Sequence, residues 1–325
     1  MTWHLYPIAE FKQHIKSWNE LNNNGVNTPL LSSDFIIPLL EHFSTGKELL
    51  AIHGPLNQAD AMAILTKPKL TVWETLQPSQ APLGLWLQNK TLETGTLLSQ
   101  LRKVLPFPTL LVGITQQDPD LLPRPEKYSN LSTLDYIQTA KVTVNGSFQD
   151  YWNQRGKNLR QNLNRQRNRL KREEIQTTLK IITAPEAIEQ AVIDYGRLES
   201  AGWKNSGGTA IHIDNEQGKF YCNMLTNFSR NQNALIFQYY YDDNLVATDL
   251  CIKDTDSLII LKTTYDETIT ASSPAMLMRQ EAFEYIFNNS LVKKIEFYGK
   301  VMDWHTKWSQ EIRTLYHINF FGLIK

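Results

Sequence analysis

The sequence predicts an α/β (α+β) protein of two domains, each a mixed twisted sheet flanked by helices. Three observations predict it. Segments with apolar residues at helical spacing alternate with short β-rich runs along the whole chain. Between Ala234 and Tyr265 three such runs follow one another across short Asp/Asn turns, the pattern of an antiparallel meander. And 325 residues exceed one ordinary domain, while a proline-stiffened connection, Asp118 to Pro125 (DPDLLPRP), precedes a change in character near residue 138. The expected domains are 1–138 and 139–325.

Composition narrows the class. The chain balances 33 basic against 33 acidic residues, which argues against a general nucleic-acid binder. Two cysteines, Cys222 and Cys251, exclude a disulfide framework or a Cys-rich zinc site. The seven histidines show no paired spacing, so no metal is expected. The N-terminal stretch carries charges where a signal peptide needs an apolar run. The longest apolar run, Val104 to Ile114, contains two prolines and is too short to cross a bilayer. The expectation is a cytoplasmic protein with no transmembrane segment.

In the first half, Ile8, Phe11, Ile15 and Trp18 form a helix face, ended by Asn22 to Gly25. Ser33 or Asp34 starts a second helix through Phe43, with Pro38 implying a kink or a late start. Strands are expected at 49–53, 61–66, 70–74 and 83–87, a helix at 93–104 and a buried strand at 109–114.

The second half opens with a strand, 136–144, and then a basic segment. Arg155, Lys157, Arg160, Arg165, Arg167, Arg169, Lys171 and Arg172 are eight basic residues with no acid among them, and without them the chain would stand at −8. Trp152, Leu159, Leu163 and Leu170 make an apolar stripe, and Ser147 with Asp150 makes a capping pair. The segment reads as an amphipathic helix, broken near Gly156, offering a surface for a polyanion or simply a solvated face. A strand (178–183), a helix begun by Pro185, a Gly-rich loop (201–211) and a helix (215–230) lead into the meander. After it come a loop, a helix from Pro274 to Asn288, a strand (292–298), a Trp-rich segment and a last strand (315–323).

No dinucleotide fingerprint, P-loop or G-x-S-x-G elbow occurs. What remains is strand, small-residue loop, helix: Tyr265-Asp266, then Ser272-Ser273-Pro274-Ala275-Met276 and Arg279. Serine before proline starts a helix well, and free N–H groups there suit a pyrophosphate, with Arg279 one turn inside adding charge.

Meander, helix, strand and terminal strand are the core order of the GNAT superfamily of N-acyltransferases. The runs NQRGKNLRQNLNRQRNRL (153–170), WKNSGGTAI (203–211), NLVATDLCI (244–252) and YDE…SSPAMLM (265–278) resemble one GNAT branch. That branch is associated with cellulose and exopolysaccharide biosynthesis and is related to the Fem peptidyltransferases. The resemblance covers about 141–325 and implies a degenerate GNAT-like domain over 1–138. Two departures stand out. The branch has Ser-Pro-Gly where this chain has Ser273-Pro274-Ala275. It also has Tyr-Lys-x-x-Trp where this chain has Trp304-His305-Thr306-Lys307-Trp308, so His305 takes the place of a lysine.

The resemblance implies direct acyl transfer from acetyl-CoA or another acyl-CoA to an amine of a small-molecule, sugar or peptide acceptor. The amine must lose a proton and the leaving thiolate must gain one. Asp266, Glu267 and His305 are the candidate bases, and Tyr265 and Tyr298 the candidate acids. Ser272 to Met276 with Arg279 would hold the cofactor; Trp203, Lys204, Trp304 and Lys307 would line the acceptor site. Two other readings stand beside this one: a Fem-like aminoacyl-tRNA-dependent transferase, with Arg155–Arg172 against tRNA, and a non-enzymatic scaffold with a basic binding helix.

Overall fold

The computed structural model describes residues 2–55, 58–126, 130–201 and 211–322. Two compact units emerge: Met1–Thr139 together with Arg313–Lys325, and Ala140–Ile312. The first boundary falls inside a strand rather than in a linker. The last thirteen residues, expected with the second domain, cluster with the first unit, because Tyr316, Ile318 and Phe320 are part of its core.

In the first unit β1 (Trp3–Pro7) leads through a 3₁₀ turn to α1 (Ile15–Asn24) and α2 (Ser33–Phe43), which keeps Pro38 inside it. Then come β2 (Leu49–His53), β3 (Ala61–Lys69), β4 (Val72–Thr75), β5 (Trp86–Gln88), α3 (Thr94–Val104) and β6 (Leu111–Gln117). The Glu93 carboxylate caps α3 by accepting from the N–H groups of Gly95 and Thr96. β1, β2, β3 and β4 pair antiparallel in that order, and β6 joins β4 in parallel. The returning strand Glu311–Phe321 pairs antiparallel with β6. Arg313 clamps the proline-stiffened connection to that strand: its Nε and Nη2 donate to the buried Asp118 carboxylate at 2.8 and 2.5 Å.

In the second unit the chain leaves β7 (Leu131–Thr143) for α4 (Phe148–Asn153), α5 (Lys157–Arg172), β8 (Thr177–Ile182), α6 (Pro185–Ala201) and α7 (Glu216–Arg230). The meander is β9 (Ala234–Tyr241), β10 (Asn244–Lys253) and β11 (Ser257–Tyr265). α8 (Pro274–Asn288), β12 (Lys294–Glu296), α9 (Asp303–Trp308) and β13 (Glu311–Phe321) complete the chain. The sheet order here is β7-β12-β11-β10-β9-β8, all antiparallel except β11–β12. Alternate residues of β9 (Leu235, Phe237, Tyr239 and Tyr241) share a core with Leu277, Met278 and Phe283 of α8. α6 and α7 pack on each other and on β9, β10 and β11.

The basic segment is two helices, separated at Gly156, which is the N-cap of α5. Ser147 caps α4, its hydroxyl accepting from the Asp150 N–H at 3.1 Å. Trp152 belongs to α4, while Leu159, Leu163 and Leu170 are buried on α5.

Candidate active site

The site begins where two parallel strands part. β11 pairs with β12 only over Ser257–Ile259 against Lys294–Glu296. Just beyond, Leu250 faces Lys262 and Cys251 faces Ile260, so Leu261 is an extra residue in β11. Such a bulge bends and twists its strand. β12 stops at Glu296. The next residues make a tight turn in which Gly299 N–H donates to Phe297 O at 2.6 Å and Tyr298 has φ +49. A tyrosine at positive φ is costly and persists only where its surroundings impose it.

The remainder of β11 therefore has no strand on that edge among the described residues. A cleft of about 700 Å³ occupies the gap, lined by Thr263, Tyr265, Glu267, Ile269, Thr270, Ser272, Ser273, Ala275, Met276, Arg279, Met302 and Trp304. It collects most of the residues singled out in the sequence from Tyr265 to Arg279.

The start of α8 forms one wall. Pro274 occupies the first turn and Ser273 is the N-cap, without a side-chain cap bond. The Ser272 hydroxyl is 2.8 Å from the Tyr241 hydroxyl. Gln166 of α5 accepts the Ser273 N–H at 2.8 Å. Met276 and Leu277 N–H groups both bond Ser273 O. Proline has no N–H. In this first turn only the Ala275 N–H makes no hydrogen bond among the described residues. This corrects the expected backbone cradle: the helix start offers one free donor, because α5 has taken another.

Arg279 is a second correction. Its guanidinium is 2 % exposed, donates through Nη2 to both Asp249 oxygens at 3.2 and 3.3 Å, and bonds the Thr263 hydroxyl at 3.0 Å. Trp304 covers it at 4.5 Å. A buried guanidinium needs a buried anion, and Asp249 supplies it. Arg279 thus builds the floor of the cleft, its charge balanced by Asp249 and not left over for a phosphate.

His305 is buried, with its ring stacked on Trp304 at 3.5 Å. Its Nδ1 accepts the Met302 N–H at 2.9 Å and so closes the start of α9. Burial, reinforced by the nearby Arg279 charge, lowers its pKa to about 4. The imidazole is neutral at pH 7, does not line the cleft, and has one nitrogen committed to the cap.

Asp266 is used locally: its carboxylate accepts from Thr268 N–H and hydroxyl at 2.9 and 2.6 Å. Glu267, its neighbour, lines the cleft, as does the half-exposed Tyr265. Tyr298 is 7 % exposed and Lys307 is exposed on α9; neither lines the cleft. Trp203 and Lys204 lie outside the described residues. Sequence reasoning missed Gln166 and Asp249. The signal for Gln166 was its place in the Leu159, Leu163, Leu170 stripe, where a polar residue is buried only with a partner. Asp249 carried a similar signal, an acid inside the apolar run of β10.

Of the basic residues, Arg155 and Arg167 are structural. Arg155 donates to Trp308 O at 2.6 Å, and Arg167 to Glu281 at 2.6 Å and Gln280 at 3.1 Å. Arg160 bonds Arg155 O at 3.1 Å, and Arg169 pairs with Glu173 at 2.7 Å. Lys157, Arg165, Lys171 and Arg172 are exposed and make no ion pair among the described residues.

No curated protein matches the chain. Among solved structures, it resembles a conserved protein of unknown function from Bacteroides thetaiotaomicron, at TM-score 0.57 and 11% identity over 98% of this chain and 99% of that one. It also resembles the C-terminal domain of a putative lysylphosphatidylglycerol synthetase from Agrobacterium fabrum, at TM-score 0.58 and 10% identity over 96% and 93%. FemX is similar at TM-score 0.58 and 10% identity over 99% and 98%. At such identities the likeness is one of fold. Residues 157–306 match the family of acetyltransferase (GNAT) domains, and the second unit is thus a GNAT-type N-acyltransferase domain.

Proposed function

We propose that the chain transfers an acyl group, acetyl first among candidates, from acyl-CoA to an amine of a small-molecule, sugar or peptide acceptor. The observation that carries this is the parting of β11 from the chain after β12, beside the start of α8. A slot between splayed strands suits an extended pantetheine arm, whose amides need the backbone groups that a missing strand leaves unpaired. The phosphates would meet the Ala275 N–H at the positive end of α8. Arg165 is next to Gln166, which touches that end, and would supply the charge that Arg279 does not. The bound thioester supplies the activated acyl group. Glu267 and Tyr265 line the cleft; Glu267 would take the amine proton and Tyr265 would protonate the leaving thiolate. The first unit, in this reading, is a degenerate GNAT-like domain, and the protein works in the cytoplasm.

One observation favours a second reading. The four cations of α5 that make no ion pair among the described residues lie on a helix about 24 Å long with no acid in it. Such a face suits an aminoacyl-tRNA donor.

Calorimetric titration with acetyl-CoA decides between them. At 100 times its dissociation constant it should stabilise the protein by about 2.7 kcal/mol. Ala275→Trp should abolish binding by blocking the phosphates, while Ala275→Gly should bind as well as the parent or better. Unchanged binding by Ala275→Trp places the cofactor elsewhere, and no binding by the parent removes acyl-CoA as the donor.

A further inference from the structure

In the first unit, the tight β3–β4 turn and the proline-stiffened segment between α3 and β6 are hydrogen-bonded to each other, and both expose apolar side chains. Leu70 is 72% exposed in the β3–β4 turn, and Phe107 is 93% exposed in the segment between α3 and β6. Val104 and Leu110, flanking Phe107, are each 39% exposed. The two turns are tied by backbone: Thr71 O accepts from Leu110 N–H at 2.9 Å and from Leu111 N–H at 3.2 Å. Within the second turn the Thr109 hydroxyl bonds Pro106 O at 2.8 Å, and Arg102 Nε bonds Thr109 O at 3.1 Å. Pro106 and Pro108 restrict the second turn, and Pro68 sits in β3 two residues before Leu70, so these tips lose little freedom on docking.

Charge gives the second half of the pattern. Lys67 and Lys69 lie at the end of β3, just before one turn, and Arg102 and Lys103 at the end of α3, just before the other; residues 67–71 and 102–111 contain no acid. Lys67 rests over Trp73 at 5.5 Å, and Lys69 pairs with Val72 in the β3–β4 register. An isolated exposed leucine needs no explanation. A phenylalanine and a leucine held out on adjacent stiff turns, ringed by cations, are different. A flat polar partner would gain nothing from them. A bilayer interface accepts projecting apolar side chains among its headgroups, and its anionic phosphates attract the surrounding lysines and arginine.

We infer that this tip docks the protein onto an anionic lipid surface, with Leu70 and Phe107 entering the interface and Lys67, Lys69, Arg102 and Lys103 facing the phosphates. Binding of this kind is peripheral; no helix among the described residues is long and apolar enough to cross a membrane. The inference is independent of the transfer reaction, since it rests on the first unit alone.

The test is co-sedimentation of the full chain with vesicles. The protein should bind phosphatidylcholine vesicles containing about 30% phosphatidylglycerol, release with added salt, and bind pure phosphatidylcholine far more weakly. Leu70→Ser with Phe107→Ser should lower binding at least about tenfold, since both side chains would no longer leave water. Both residues are exposed, so the melting temperature should not move. In Phe107→Trp, tryptophan emission should shift to the blue with anionic vesicles and be quenched by brominated lipid. The proposal is overturned if the parent does not bind at low salt. It is also overturned if Leu70→Ser with Phe107→Ser binds as the parent does, which would assign binding to the cations of α5. A dimer of the parent that Phe107→Ser dissociates would assign the tip to a second copy instead.

Discussion

Gln166 of α5 and Ser273 at the start of α8 are 107 residues apart and share a hydrogen bond, side-chain Oε1 to backbone N–H, at 2.8 Å. The amide also donates, to Asn162 at 3.0 Å, so its orientation is held from both ends. This bond brings the basic helix to the wall of the cleft and turns two separate sequence features into parts of one site.

Replacing Gln166 with leucine should leave the Ser273 N–H without an acceptor, at a cost of about 1–3 kcal/mol. In a unit of this size each kcal/mol lowers the melting temperature by about 2–4 °C. Gln166→Glu keeps the acceptor and should recover most of the loss. Thermal unfolding of the two variants compares them directly; equal melting temperatures would mean that the bond contributes nothing.

The Arg279–Asp249 pair should behave as a unit. Arg279→Met alone leaves a buried carboxylate unpaired and should cost about 3–5 kcal/mol, whereas Arg279→Met with Asp249→Leu should restore more than half of it. Urea unfolding of both singles and the double gives the coupling. Additive losses would contradict the pairing.

His305 makes stability depend on pH in a definite direction. Its folded pKa, about 4, lies below the unfolded value near 6.5. Between these values the unfolded chain binds the extra proton, so its contribution is fully present above about pH 6.5 and is lost as pH falls toward 4. His305→Asn, which retains an acceptor for the Met302 N–H, should flatten the stability profile in that window. Denaturant midpoints from pH 4.5 to 7 would show it; parallel profiles for parent and variant would remove His305 as the source.

Two adjacent carboxylates should separate by role. Glu267→Gln should lower kcat by about 100-fold or more if it takes the amine proton. Asp266→Asn should leave kcat within a few-fold and act on stability through the Thr268 turn. A kcat for Glu267→Gln near that of the parent would send the search for the base elsewhere in the cleft.

Much of this was legible in the chain itself. Helical spacing placed α5 and α7, and serine before Pro274 marked the start of α8. Spacing and turn chemistry are local, so local sequence carries them. β1 was missed, since five residues with one buried tryptophan give no period. β12 proved shorter than its apolar run, because Tyr298 turns the chain away.

The order of elements, the concentration of charge on α5 and the small-residue start of α8 can be read from the chain alone. What those charges and donors do depends on the fold. Arg279 reads as a free cation until Asp249, 30 residues earlier, is seen beneath it. His305 reads as a base until burial makes its imidazole neutral and Met302 claims its Nδ1. Ser273 reads as part of an open anion cradle until Gln166 arrives to fill it. In each case the partner is distant in sequence, and burial, which sets the strength of a charge or a hydrogen bond, exists only once the chain has folded.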